Sequence, residues 1–225
     1  MAKLVEIRKQ ILKKNDDLAQ SLRQRFATSK TLVVNLVSSP GTGKTEFLKQ
    51  TMTLLKDELK IAAIVGDLET ENDAVRLRQS GAPAHQIETH NMCHLESHQI
   101  GQAIEEAADK FDADALDILF IENVGNLVCT ASFDLGEDIQ VVMVSTTEGE
   151  DKPLKYPTIF HRSDICVITK MDLAEALGYD RDQMLKSVES VKPNMQTFEV
   201  SAKTGQGMDT WIDFLKQRVA EKSGS

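Results

Sequence analysis

Cysteine is scarce in this chain. It occurs only at Cys93, Cys129 and Cys166, an odd count with no framework spacing. That excludes a disulfide-stapled scaffold and fits reduced thiols in a cytoplasmic compartment. An excess of basic residues is also lacking, because the net charge is −9. Without a basic face to neutralise phosphates, a nucleic-acid partner is not expected. No run approaches the ~18 apolar residues of a membrane span, so no membrane association is expected. The start, MAKLVEIRKQILKKNDD, has no apolar stretch of signal-peptide length. Internal repeats and low-complexity tracts are absent, and only the closing EKSGS reads as frayed.

What is present is ordinary globular composition: 225 residues, 41% hydrophobic and 27% charged. A chain of this size can bury a core without cross-links. Leu4, Ile7, Ile11, Leu18, Leu22 and Phe26 recur at helical spacing. They predict an amphipathic helix over residues 1–29 that packs on the domain that follows. From residue 30 to 221 strands and helices alternate. Strands are predicted at Thr31–Ser38, Lys60–Asp67, His85–His90, Leu116–Val124, QVVMVST, DICVIT and QTFEVS. Helices are predicted from Gly43 to about Leu59, over DAVRLRQ, over Leu95–Lys110, near Lys155–Phe160, and around Met208–Val219. Apolar strands separated by helices imply a doubly wound α/β fold, a mainly parallel sheet with helices on both faces. Residues 222–225 read as a tail.

In such a sheet, ligands bind beyond the carboxyl ends of the strands. SSPGTGKT lies at such an end and opens a helix. The backbone N–H groups of Gly41, Thr42, Gly43, Lys44 and Thr45 can cradle phosphates there, favoured by the helix dipole. Lys44 is placed for the β/γ-phosphates and the Thr45 hydroxyl for Mg²⁺, as in a P-loop NTPase. The pattern asks for glycine at its first position, where this chain has Ser38. Glu46 puts an acid in the first turn of the helix, where the dipole tolerates it.

Two later strand ends, VITKMD and VSAKTG, are similar to the base-binding segments of GTPases. Asp172 can accept from the N1–H and 2-amino group of guanine, donors that adenine lacks. Lys170 would lay its stem along the base, and Ser201, Ala202 and Lys203 form the second segment. Thr169 stands where many GTPases carry Asn, which removes an amide contact. IENVG at the end of another strand resembles the D-x-x-G switch, with Glu122 in place of Asp. Gly125 would sense the γ-phosphate. Glu122 would hold Mg²⁺ through water or position the attacking water, and Asp67 is a second carboxylate for either task.

Together, SSPGTGKT, GDLETENDAVRL, CHLE, IENVGNLVC and EGEDKPLKYPTIF resemble the hydrogenase nickel-incorporation GTPases, the HypB family. The resemblance runs from about residue 10 to 220, and ENVGNLVC is its most specific piece. It implies a GTP-dependent homodimer that hydrolyses GTP to GDP, and since no residue is an obvious strong general base, hydrolysis should be slow. It also implies delivery of nickel, through a transfer partner, to the precursor of the [NiFe]-hydrogenase large subunit. Cys93, His94 and Cys129 form a soft sulfur–nitrogen–sulfur set suited to Ni²⁺ or Zn²⁺. Three ligands leave a tetrahedron incomplete, so two copies could share a metal across a two-fold axis. Cys129 follows Gly125 by four residues, which would tie metal geometry to hydrolysis. Cys166 alternates with Ile165 and Val167 and reads as core, and His98 reads as solvated. The N-terminal Cys-rich or His-rich stretches of some family members are lacking, so dedicated nickel storage is not implied. Thr130 replaces the family's usual Pro after Cys129, a change expected to loosen that loop. Other readings are a carrier that nucleotide merely stabilises as a dimer, and an assembly GTPase with structural cysteines. A urease-accessory role is disfavoured by ENVGNLVC.

Overall fold

The computed structural model describes residues 2–67, 72–89 and 92–224. The chain begins with α1 (Ala2–Ser29), β1 (Leu32–Ser38), α2 (Lys44–Leu55), β2 (Ile61–Asp67), α3 (Asn72–Arg78) and β3 (Ala84–Glu88). It continues with α4 (Ser97–Glu106), β4 (Ile118–Gly125), β5 (Ile139–Ser145), α5 (Lys152–Lys155) and α6 (Pro157–Arg162). It closes with β6 (Ile165–Thr169), α7 (Ala174–Leu177), α8 (Arg181–Val191), β7 (Gln196–Glu199) and α9 (Met208–Ser223).

The seven strands form one sheet in the order β3-β2-β4-β1-β5-β6-β7. Every neighbouring pair is parallel. The strands at the centre of the sheet are buried on both faces, which is why LVVNLVS, ILFIENV and IQVVMVS read as near-continuous apolar runs. One face packs on α2, α3 and α9, with Phe47, Met52 and Trp211 fully buried. The opposite face is covered by α1 and α4 beside β1, β2 and β4, and by α6 and α8 beside β5 and β6. Trp211 Nε1 donates to Thr51 Oγ1 at 3.1 Å, so its one polar atom is satisfied in the core. Cys166 is fully buried in β6, as its alternation suggested, and burial pushes its thiol up to about 12.

Several element ends differ from the periodicity. Helix α2 stops at Leu55, and in the turn that follows the Glu58 and Leu59 N–H groups share the Leu55 carbonyl. Helix α4 starts at Ser97 rather than Leu95, fixed by a capping box between Glu96 and Gln99. The helix expected near Lys155–Phe160 is two short ones, broken at Tyr156 by the following Pro157. The end expected to fray is helical to Ser223, whose carbonyl accepts from Lys30 Nζ at 2.7 Å.

In α1 the buried stripe is Asn15, Ala19, Leu22 and Phe26, while Ile11 and Leu18 are 47% and 36% exposed. The side chains of Leu4 and Ile7 lie outside the described residues. Among the described residues the buried stripe thus includes a polar amide, which a count of apolar residues passes over. Among the described residues no helix is long and apolar enough to cross a membrane.

Candidate nucleotide and metal site

The phosphate loop leaves β1 at the centre of the sheet, between β4 and β5. Gly43 closes it with φ 96°, a left-handed conformation that lets the chain turn directly into α2. Ser38 needs no such freedom. It is still inside β1, with no exposure and no positive φ, which is why serine can stand at the pattern's first position. Gly125, at the end of β4, comes so near Pro40 that an added Cβ would sit 3.1 Å from the proline N and Cα. A cavity of about 390 Å³ lies over the loop, lined by residues 39–46 with Asp73, Arg76, Val124 and Gly125.

Glu122 faces this loop from β4. Thr45 Oγ1 donates to Glu122 Oε1 at 2.6 Å, and Lys44 Nζ lies 3.5 Å from the same oxygen. Glu122 Oε2 is buried with no hydrogen-bond partner among the described residues. Burial pushes the Glu122 pKa up against the pull of Lys44 and Thr45. An orphaned carboxylate oxygen beside a P-loop threonine and lysine fits a hydrated Mg²⁺, which would supply the missing partner. Asp67 ends β2, but its side chain lies outside the described residues.

A second cavity of about 250 Å³ adjoins the first and shares Thr42, Gly43 and Glu46 with it. Phe47, Thr169, Lys170, Asp172, Leu173, Val200, Ala202 and Lys203 complete its lining. Its size and apolar walls suit a flat base. Asp172 is held by Ser201 Oγ at 2.7 Å, with Lys203 Nζ 4.0 Å from its other oxygen. Lys170 Nζ donates to the Gly41 carbonyl at 2.7 Å, so its stem crosses the phosphate loop. Thr169 does what its sequence position alone does not reveal. Its hydroxyl donates to the Thr42 carbonyl at 2.7 Å, fastening the base segment to the phosphate loop.

Glu148 is a site residue that sequence reasoning missed. Its Oε1 accepts from Thr42 Oγ1 at 2.6 Å and from the Ser145 N–H at 3.0 Å. Lys152 Nζ lies 3.2 Å from Oε2. Burial alone would raise the Glu148 pKa, but the Thr42, Lys152 and Ser145 contacts together hold it below the usual range. The EGEDK segment was visible in the sequence, but its partner Thr42 is more than 100 residues away.

Cys93, His94 and Cys129 come together in the fold. Each is half-buried, and one ligand atom from each lies within 4.8 Å of the others. Cys93 Sγ is 3.6 Å from His94 Nδ1. The His94 ring stacks on Phe133 at 3.8 Å between centroids. His94 Nε2 lies 3.5 Å from Glu96 Oε1 without hydrogen-bond geometry, and has no hydrogen-bond partner among the described residues. An imidazole beside two thiols is the donor set a soft divalent ion takes, with Nδ1 turned to Cys93 and Nε2 turned to Glu96.

Local bonds set both limbs of this cluster. Asn126 Oδ1 accepts from the N–H groups of Val128 at 2.7 Å and Cys129 at 2.9 Å. The Thr130 hydroxyl donates to the Asn126 carbonyl. Thr130 therefore ties the loop that its place after Cys129 was expected to loosen, because a hydroxyl offers a bond that proline lacks. On the other limb, Leu95 is fully buried and its N–H donates to Asn123 Oδ1 at 3.2 Å. Asn123 sits directly after Glu122 in β4, so one strand serves both sites. His98 is outside the cluster. Its side chain is 54% exposed, with Nδ1 3.3 Å from Glu96 Oε2.

The central phosphate loop, the parallel sheet and the base cavity define a P-loop nucleotide-binding protein of the GTPase kind. Residues 32–199 match the CobW/HypB/UreG nucleotide-binding domain family. The hydrogenase maturation factor HypB of Escherichia coli K12 is 47% identical over 97% of this chain and 74% of its own length. The crystal structure of HypB from Helicobacter pylori in complex with nickel superposes with a TM-score of 0.86. It is 38% identical, over 92% of this chain and 96% of that one. The structure of the hydrogenase maturation factor HypB from Archaeoglobus fulgidus gives 0.83 at 39% identity, over 92% and 98%. The chain belongs to the HypB family of hydrogenase maturation factors.

Proposed function

We propose that the protein is a GTPase that captures Ni²⁺ and releases it under nucleotide control during [NiFe]-hydrogenase maturation. Zn²⁺ is a second ion for the same ligands. The observation that carries the reading is the shared strand β4. Glu122 contacts Thr45 and Lys44 of the phosphate loop, Asn123 holds the limb after His94, and Gly125 leads into the loop bearing Cys129. The nickel-bound Helicobacter pylori relative supports the choice of metal.

In this reading Lys44 and the loop amides bind the β- and γ-phosphates, and Asp172 accepts from guanine, with Ser201 and Lys203 keeping it oriented. Lys170 and Thr169 clamp the base segment to the phosphate loop. Thr45 and Glu122, with Asp67 as the further candidate, would hold Mg²⁺, which would supply neutralising charge at the transferring phosphate. Glu122 also orients the attacking water. Its part is to position that water rather than to take its proton, so hydrolysis is slow. Loss of the γ-phosphate frees the Gly125 amide, and the loop through Cys129 relaxes. Cys129 then leaves the Cys93–His94 pair and the ion is given up to an acceptor. Two copies sharing one ion would supply the ligands that three residues leave open.

The test is Ni²⁺ titration of the protein loaded with a non-hydrolysable GTP analogue or with GDP. Affinity should differ at least about tenfold between the two states, a coupling of ordinary allosteric size. Equal affinity in both states would leave a metal protein without a nucleotide switch.

A further inference from the structure

Asn15 is an unusual residue for the docking face of α1. The rest of the buried stripe is Ala19, Leu22 and Phe26, yet Asn15 is only 4% exposed. Its amide reaches two separate segments. Asn15 Oδ1 accepts from the Ser97 N–H at 2.9 Å and lies 2.8 Å from Ser97 Oγ. Asn15 Nδ2 donates to the Asp134 carbonyl at 2.8 Å. Ser97 Oγ is itself 2.8 Å from that carbonyl, which closes the triangle. Both ends of the amide are used, so its orientation is fixed.

The two segments it joins are the two limbs of the cysteine–histidine cluster. Ser97 opens α4 three residues after His94, and its N–H is one of the helix-start donors that have no partner within the helix. Asp134 follows Phe133, the ring that stacks on His94, and lies five residues beyond Cys129. Asp134 is pinned to α1 a second time by Arg23, 2.7 Å from its Oδ1.

We infer that Asn15 is a positioning residue for metal capture, setting the Cys93–His94 limb against the Cys129 limb from behind. This rests on the reading of those three residues as the nickel ligands. The first helix of the chain is then part of the metal site, although it contributes no ligand. Docking of the helix does not require the amide, because Leu22 and Phe26 already bury its apolar face in the core. A buried amide bonded at both its oxygen and its nitrogen favours one arrangement, and small displacements of ligands are costly in a three-ligand site.

The experiment compares the full-length wild type with Asn15→Ala, Ser97→Ala, Ser97→Thr and Cys93→Ala. Ni²⁺ affinity and the nickel–thiolate charge-transfer band are read in each, and binding of a fluorescent GTP analogue serves as the control. Asn15→Ala and Ser97→Ala should each weaken Ni²⁺ binding about tenfold or more and alter the band, the usual effect of removing a group behind the ligands. Ser97→Thr keeps the hydroxyl and should restore both. Nucleotide affinity should stay within about twofold throughout. If Asn15→Ala does not fold, the Ser97→Ala and Ser97→Thr pair decides. Wild-type affinity and band in folded Asn15→Ala and Ser97→Ala, with Cys93→Ala impaired, would overturn the clamp alone. Normal Ni²⁺ binding by Cys93→Ala would overturn the ligand assignment and the clamp with it.

Discussion

In the proposed reading Asp172 and Lys44 serve opposite ends of the nucleotide, and single substitutions should separate their effects. Lys44→Ala removes the cation beside Glu122, so GTP and GDP binding should weaken by about 1.5–3 kcal/mol, the worth of a charged hydrogen bond. Asp172→Asn leaves the phosphate loop intact but replaces an acceptor with a donor at one position. Its loss should fall on discrimination between GTP and ATP, read by direct competition. A wild-type preference for ATP would remove the guanine assignment. Glu137 offers a residue-scale test of pH. Its Oε1 accepts from Asn35 Nδ2 at 3.0 Å and its Oε2 from the Leu135 N–H at 2.8 Å. Burial and the neighbouring Asp134 push its pKa up against these bonds. A carboxyl whose folded pKa is raised contributes stability that is full below its unfolded value. That contribution is lost as pH rises through the folded one. Asp134 has the opposite sign: burial pushes it up, but Arg23 and the Gly136 N–H outweigh this and hold it low. Glu137→Gln should therefore flatten the loss of stability on the alkaline side of the carboxylate range, measured by urea unfolding at a series of pH values. Glu122, raised in the same sense, would keep part of the slope.

At the scale of elements, β4 is the structure's junction. It pairs with β1 on one side and β2 on the other, and its end passes under Pro40. Gly125→Ala should push the loop after β4 off the phosphate loop. Relieving a 3.1 Å approach to backbone costs about 1–3 kcal/mol. The expected outcome is weaker GTP-analogue binding and a lower melting temperature for the nucleotide-bound form. A much smaller change in the Ni²⁺ affinity of the GDP form is expected, since Asn126 still holds Cys129. Helix α1 is the second element with a task beyond packing. It touches α4 and the loop after Cys129 through one amide and one guanidinium, and so spans the two limbs of the cluster.

For the whole molecule, a short buried polar path ties the limb after His94 to the central strands and to the turn after Asp134. Asn123 Nδ2 reaches Asn35 Oδ1 at 3.5 Å, and Asn35 in turn bonds Glu137. The Leu95 limb, β4, β1 and the turn after Asp134 are thereby one connected body. Half-exposed thiols and Val128, 65% exposed beside Cys129, leave room for a second copy at this edge. The samples titrated with Ni²⁺ should also be sedimented. The GTP-analogue form with metal should run as a dimer and the GDP form shift toward monomer. The same monomer in both states would remove the basis for a shared ion.

The sequence by itself determined the features whose partners are contiguous. The α/β order, the phosphate loop with Lys44 and Thr45, and the base segments ending at Asp172 and Lys203 each occupy one short stretch. Their chemistry is local, because a strand, a turn and a helix start can be read from neighbours. The pairing of Cys93 with His94 was legible for the same reason, whereas Cys129 joined them through the family resemblance. Only the tertiary structure decided what crosses the chain. Glu148 serves Thr42, Thr169 fastens the phosphate loop, and Asn123, Asn35 and Glu137 form one path. Asn15 sits on a face whose apolar pattern gave a different stripe. A polar side chain in the sequence looks the same whether it meets water or a carbonyl 119 residues away. Hydrophobic periodicity marks what is buried because burial repeats with the element. A buried amide has no period, and its partners exist only once the sheet has brought the distant segments together.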